Sequence, residues 1–174
     1  NIIKYCNISK FDKILEIGSG AGRLGKIFIN NKYDYYAVER SESLVNKFKL
    51  LVDKNKIEIN NTNILPFQDN SFDTVFCWSI TQYFDSIDDF HLLLNEMMRV
   101  SKKCILIGDI YEYKDNIKKE YKYKSTDLQH LCIQKKTFEN IDEISSKKYK
   151  YKICNFNNSG NTRYNCLLHI NKNL

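Results

Sequence analysis

At 174 residues, with 43% hydrophobic and 28% charged side chains, the chain has the make-up of a globular domain and is too short for two ordinary ones. No apolar run approaches the roughly 20 residues of a membrane-spanning helix, and no basic segment leads into an apolar core and a small-residue cleavage site. Nothing addresses the chain to a membrane or for export, so a cytoplasmic protein is expected.

The formal charge of +6 arises mainly in the second half, where Lys114, Lys118, Lys119, Lys122 and Lys124 alternate with Tyr111, Tyr113, Tyr121 and Tyr123. Such interleaving suits a nucleic-acid backbone with bases stacked on the rings, but Glu112, Asp115 and Glu120 interrupt it, which favours a solvated face. The six cysteines are scattered, with no closely spaced pair of the kind a metal knuckle or redox motif requires, and read as reduced structural thiols. No metal site is expected. The chain opens on Asn1 rather than Met, which leaves open a missing N-terminal segment that would add to the acceptor pocket.

In chain order, Lys13 to Ile17 reads as a strand running into a glycine cluster, followed by a helix over Arg23 to Asn30. Tyr35 to Val38 is a second strand closing on Glu39, and Ser43 to Leu51 a second helix with Leu44, Val45, Phe48 and Leu51 on one side. Ile57 to Ile59 is a third strand. Asp69-Asn70-Ser71 turns the chain into Phe72 to Trp78, whose β-branched and aromatic content suits a central strand. A helix is expected over His91 to Val100 and a short strand over Cys104 to Gly108. A short helix around Thr137 to Ser145 follows, and Tyr149 to Cys154 with Tyr164 to Ile170 form a closing hairpin across Asn155 to Thr162. Repeated strand-helix units predict a single α/β domain: a Rossmann-like doubly wound sheet, mostly parallel with a C-terminal antiparallel strand, helices on both faces. Its parts are a core over about 14–109, a lid over about 110–148 and the hairpin over about 149–170.

In such a sheet ligands bind beyond the carboxyl ends of the strands, so the residues just after each strand carry the chemistry. After the first strand the chain reads Glu16-Ile17-Gly18-Ser19-Gly20-Ala21-Gly22, a turn whose glycines let the backbone approach a ligand closely. Gly20, Gly22 and Gly25 have the spacing of a dinucleotide fingerprint. The register argues against one: counted from Gly18, the third fingerprint glycine falls on Arg23. The acidic Glu16 also suits a ligand carrying a positive amino group better than a pyrophosphate. Glu39, about twenty residues on, ends strand two where a carboxylate can accept both hydroxyls of a ribose.

These motifs, with Leu65-Pro66-Phe67-Gln68-Asp69-Asn70-Ser71-Phe72-Asp73 and Glu96-Met97-Met98-Arg99-Val100, resemble in order and spacing those of class I S-adenosylmethionine-dependent methyltransferases, in particular the type 11-like small-molecule subfamily. The resemblance runs from about Ile14 to Asp109. It implies S-adenosyl-L-methionine as cofactor and S-adenosyl-L-homocysteine as product. It implies further that Glu16 sits near the cofactor's amino end, that Gly18, Ser19, Gly20 and Gly22 line its methionine portion, and that Glu39 binds the ribose with Arg40 beside the adenine. Asn61 stands where the family commonly has an Asp for the adenine amino group, the Thr62 amide serves a ring nitrogen, and Ile64 counts among the cofactor contacts. Two departures stand out. Gln82-Tyr83 replaces the histidine that many relatives carry after strand four, and Ser101-Lys102-Lys103 replaces a Pro-Gly-Gly turn, reading as a loop variant.

Methyl transfer from a sulfonium is an in-line displacement on an activated donor, so positioning and water exclusion supply most of the catalysis. A base becomes useful only for a hydroxyl acceptor. Of the three histidines, His91 and His169 have ordinary structural explanations, while His130 falls in the lid and is the candidate base. Gln82, Tyr83 and Asp109 are alternative acceptor contacts. The expected reaction is methylation of a small polar acceptor, with O-methylation of a sugar or glycan precursor preferred. An RNA-modifying enzyme using the 111–124 stretch is the alternative, disfavoured by the lack of an appended RNA-binding domain and of an Asn-Pro-Pro-Tyr-type motif.

Overall fold

In a computed structural model the chain runs α1 (Ile2–Tyr5), β1 (Lys13–Ile17), α2 (Gly25–Asn30), β2 (Asp34–Glu39), α3 (Glu42–Lys49), β3 (Ile57–Ile59), β4 (Phe72–Trp78), α4 (Ile87–Val100), β5 (Ser101–Tyr111), β6 (Tyr149–Asn155) and β7 (Arg163–Ile170), with 3-10 turns at Thr81–Tyr83 and Lys135–Phe138. The structure describes residues 2–50, 56–60, 64–111, 133, 135–139, 141, 149–155 and 163–170.

The strands form one sheet in the order β3-β2-β1-β4-β5-β7-β6. The first five are parallel, and β7 runs antiparallel to both β5 and β6. This is the expected doubly wound sheet with its closing hairpin. Winding reverses between β1 and β4, the switch point at which such sheets open a crevice.

Both faces of the central strands are apolar because both are covered. In β1, Ile14 joins Phe28, Val45 and Phe48 of α2 and α3 on one side, while Leu15 and Ile17 join Phe90, Leu94 and Met97 of α4 on the other. The same alternation places Cys104 and Leu106 of β5 in the first layer and Ile105 and Ile107 in the second. The four-residue α1, which periodicity did not reveal, and the turn after it add Ile2, Cys6 and Ile8 to the first layer, where Cys104 of β5 is also buried. Cys6, Cys77, Cys104, Cys154 and Cys166 are all free.

Two boundaries differ from expectation for local reasons. Helix α4 starts at Ile87, one turn before His91, because Ser86 caps it: the Ser86 hydroxyl accepts the Asp89 amide at 3.1 Å and donates to the Asp89 carboxylate at 2.7 Å, and Asp88 and Asp89 suit the first turn. Ser101-Lys102-Lys103 is not a loop but the opening of β5, which follows α4 directly. Ser101 is buried with its hydroxyl on the Cys104 carbonyl, and Lys103 bridges Asp12 and Asp73 at 2.6 and 3.0 Å. The helix expected over Thr137 to Ser145 lies mostly outside the described residues, whose part there includes the turn Lys135–Phe138.

The Glu96 to Val100 motif has a visible structural role. Glu96 accepts the Leu65 amide at 2.8 Å. Arg99 donates to the Leu65 and Phe67 carbonyls, to Asp69 and back to Glu96. These bonds pin the Leu65-Pro66-Phe67 segment onto α4, and the Arg99 guanidinium holds the Glu96 carboxyl below its ordinary range.

Candidate cofactor cleft

The turn after β1 hangs on β2: the Gly18 and Ser19 amides donate to the Val38 carbonyl at 2.9 and 3.3 Å. Gly20 (φ +57°) and Gly22 (φ +82°) both take the left-handed conformation, yet they face different surroundings. A Cβ on Gly22 would meet the Phe48 ring at 2.2 Å, whereas one on Gly20 would meet nothing within 4 Å. Gly22 is packing; Gly20 borders open space.

That space is a cleft of about 610 Å³ beyond the carboxyl ends of β1, β2 and β4. It is lined by Ile17, Gly18 and Gly20 after β1, by Val38, Glu39, Arg40, Ser41 and Leu44 at β2 and α3, by Asn60 and Leu65, and by Trp78, Ser79, Ile80, Tyr83, Phe84, Asp85, Asp89 and Leu93 from β4 to α4. Its size falls in the range of small-molecule sites. Glu39 is 8% exposed, and its two carboxylate oxygens accept the Gly20 and Ser41 amides, each at 2.9 Å. The carboxylate is thereby fixed at the cleft wall with lone pairs to spare for a ligand.

Glu16 lies elsewhere. It is buried, does not border the cleft, and accepts a hydrogen bond from the Tyr35 hydroxyl. Burial pushes its pKa up to about 8, the Tyr35 hydrogen bond opposes this, and the Glu39 charge adds to it. Ser19 is buried with a hydroxyl that has no hydrogen-bond partner; neither it nor Gly22 lines the cleft.

Gly18, Gly20, Glu39, Arg40 and Tyr83 are thus the expected site residues found on the cleft surface. Ile64 is 71% exposed and contributes its carbonyl to Asn60 at 3.0 Å rather than a cleft contact. Gln82 is buried beneath the cleft, its amide donating to the Ser79 carbonyl at 2.7 Å. Asp109 reaches the cleft only through Ser79, whose hydroxyl it accepts at 2.5 Å. Asn61, Thr62 and His130 lie outside the described residues. His91 and His169 do not border the cleft, and burial, then Lys152, lowers the His169 pKa. Sequence reasoning missed Ser41, Asn60, Ser79, Phe84, Asp85 and Asp89. Ser79 was open to discovery because it directly follows β4 at the switch point, and Asp85 and Asp89 because Ser86 between them is a helix cap. Among the described residues no cluster of His, Cys, Asp or Glu could hold a metal ion.

An adenosyl sulfonium fits these residues. Gly20 leaves room for backbone approach, Glu39 presents a fixed acceptor for ribose hydroxyls, and Leu44 and Leu65 offer apolar surface in the lining. Sheet, glycine turn and strand-two carboxylate together define the class of S-adenosylmethionine-dependent methyltransferases. Residues 15–104, more than half of the chain, match the family model described as "Methyltransferase domain" (Methyltransf_11), and the chain belongs to that family. It is a methyltransferase whose cofactor is S-adenosylmethionine.

No curated protein sequence matches the chain. Its fold is that of solved methyltransferase structures of low sequence identity. An S-adenosylmethionine-dependent methyltransferase from Methanosarcina mazei is 14% identical, with a TM-score of 0.72 over 97% of this chain and 94% of that one. The YcgJ protein of Bacillus subtilis is 15% identical, with a TM-score of 0.74 over 97% and 95%. A Haloferax volcanii putative methyltransferase, solved in complex with the Trm112 methyltransferase activator, is 12% identical, with a TM-score of 0.71 over 97% and 86%. No described helix is long and apolar enough to cross a membrane.

Proposed function

We propose that the chain methylates a small polar acceptor, with a sugar or glycan-precursor hydroxyl preferred, at the Tyr83–Phe84 end of the cleft. The bound cofactor supplies an activated methyl group. The chain's residues hold it in line: Glu39 takes the ribose, the Gly18 to Gly20 backbone the methionine portion, and Arg40 the adenine side. The observation that carries the reading is the Glu39 carboxylate, held at the cleft wall by the Gly20 and Ser41 amides. Residues 14–109 act as the cofactor core of a single domain that the hairpin closes, and the segment over 110–148 serves as the lid that selects the acceptor and brings His130 toward it. The free thiols fit a reducing, cytoplasmic setting.

The composition of the cleft wall favours this reading over RNA modification. Among the described residues of the lining, Glu39, Asp85 and Asp89 stand against the single cation Arg40, and carboxylates at a reaction centre repel a phosphate backbone. The test is methyl transfer from radiolabelled S-adenosylmethionine to a panel of sugars and glycan precursors and to total RNA, run at about 50 and 200 mM salt. Labelled sugar product with little salt dependence is expected. Label confined to RNA, with activity falling steeply with salt, would replace it with the nucleic-acid reading.

A further inference from the structure

Ser79 and Asp109 follow β4 and end the regular part of β5, side by side, and both are non-glycine residues in the left-handed conformation, each with φ +61°. That conformation costs on the order of 1 kcal/mol or more per residue and persists only where the surroundings hold it. Here the holders are visible. The Ser79 amide donates to the Gly108 carbonyl at 3.0 Å, and the Asp109 amide to the Asn165 side chain at 2.8 Å. The Ser79 hydroxyl donates to Asp109 at 2.5 Å. Arg163 of β7 places one guanidinium nitrogen 2.8 Å from both Asp109 oxygens while stacking on Tyr111 with 4.0 Å to the ring centre. A cation from the closing hairpin thus fixes a carboxylate that fixes the hydroxyl of Ser79, a residue of the cleft lining.

The polarity of this chain has a chemical consequence. With its proton committed to Asp109 and one lone pair taken by the Gln82 amide at 3.4 Å, the Ser79 oxygen has one lone pair left, so a further partner must be a donor. The position of that donor follows from the sheet order. With ribose at the end of β2, the far end of the cofactor crosses β1 and arrives over β4, where Gly18 packs against Ile80 beside Ser79. That far end carries an ammonium group. Glu16, the acidic residue expected near it, is turned away onto Tyr35.

Resting on the cofactor reading above, we propose that the Arg163–Asp109–Ser79 chain is the positioning device for the cofactor's amino end, with Ser79 Oγ as the hydrogen-bond acceptor and the C-terminal hairpin as its anchor. The hairpin is then part of the binding machinery and not only an edge of the sheet.

Two ligands and two variants test this by calorimetry: S-adenosylhomocysteine, which has the amino-acid end, and 5′-methylthioadenosine, which lacks it. Ser79→Gly removes the hydroxyl at a backbone conformation glycine adopts freely, so folding is preserved and its melting temperature should not fall. Its affinity for S-adenosylhomocysteine should drop about tenfold, the scale of one hydrogen bond to a charged group, with methylthioadenosine affinity unchanged within about twofold. Asp109→Asn tests the polarity. Asparagine also tolerates the left-handed conformation, and facing Arg163 it must turn its carbonyl to the guanidinium and its amide toward Ser79. The Ser79 proton then swings into the cleft against the ammonium, so S-adenosylhomocysteine should weaken at least as much as in Ser79→Gly. Unchanged S-adenosylhomocysteine affinity in either variant, or equal losses with both ligands, overturns the proposal. A wild-type chain that binds neither ligand would instead overturn the cofactor reading on which it rests.

Discussion

Two glutamates sit near the ends of neighbouring strands and flank the same glycine turn, yet they do different things. Glu16 of β1 is 2% exposed and Glu39 of β2 is 8% exposed, so burial alone does not separate them. Their partners do. Glu16 points into the layer of Phe28, Tyr35, Phe48 and Phe76, with Tyr35 stacked on Phe28 at 5.6 Å and its hydroxyl on the Glu16 carboxyl. Glu39 points to the opposite side of the turn, onto two backbone amides at the rim of the cleft. An acid placed among rings is driven toward its neutral form, whereas one placed on amides is held as a fixed acceptor. The first supports the turn from below; the second presents it to a ligand.

The glycine turn can be used to break that distinction. The largest effect is expected from Gly22→Ala, on the Glu16 side, where the new methyl would lie 2.2 Å from the Phe48 ring at a φ of +82°. Overpacking and left-handed strain together should cost about 3 kcal/mol of stability in urea unfolding. A loss below about 1 kcal/mol would mean that Phe48 swings aside and that this side of the turn is not tightly packed. Next comes Glu39→Ala, on the other side, which should weaken S-adenosylhomocysteine binding at least tenfold, about 1.4 kcal/mol. Unchanged affinity would remove Glu39 from the ribose. Gly20→Ala meets no atom within 4 Å, so its stability cost is limited to its φ of +57°, about 1 kcal/mol. Its methyl enters the cleft, and ligand affinity should fall further than stability does.

The sequence made the Glu39 side of this comparison legible and the Glu16 side only in part. Glycines ahead of a helix, a carboxylate at the end of the second strand and the Leu65-Pro66-Phe67 and Glu96 to Arg99 segments are local patterns, and each maps onto a local structural task. The sheet could be anticipated for the same reason, since apolar alternation is written into each strand. Which way Glu16 turns depends on the pleat and on Tyr35, nineteen residues away, and spacing along the chain does not carry that. The Arg163 to Asp109 pair spans 54 residues and exists only because β7 inserts beside β5. Ser101 to Lys103 was misread because a loop motif of relatives was expected there, while the long-range bridges from Lys103 to Asp12 and Asp73 draw it into the strand.

The smallest change in binding is expected from Glu16→Gln, and it separates the two glutamates most cleanly. Glutamine keeps an acceptor for the Tyr35 hydroxyl and the shape of the neutral acid, so S-adenosylhomocysteine affinity near pH 7 should stay within about twofold of wild type. The variant should differ in how stability responds to pH. Glu16 has an ordinary value of 4.5 and is pushed up to about 8 in the folded chain, chiefly by burial. Between those values the folded chain keeps a proton that the unfolded chain has released. Stability contributed by this group is therefore complete below about pH 4.5, falls as pH rises toward about 8, and levels off above it. Glutamine has no proton to lose, so the variant should lack this decline and gain on wild type as pH rises from 5 to 8 in parallel urea titrations. Parallel pH profiles for the two proteins would place Glu16 in a more polar setting than its aromatic neighbours provide. A large loss of ligand affinity in the same variant would return Glu16 to the cofactor's amino end and erase the contrast with Glu39.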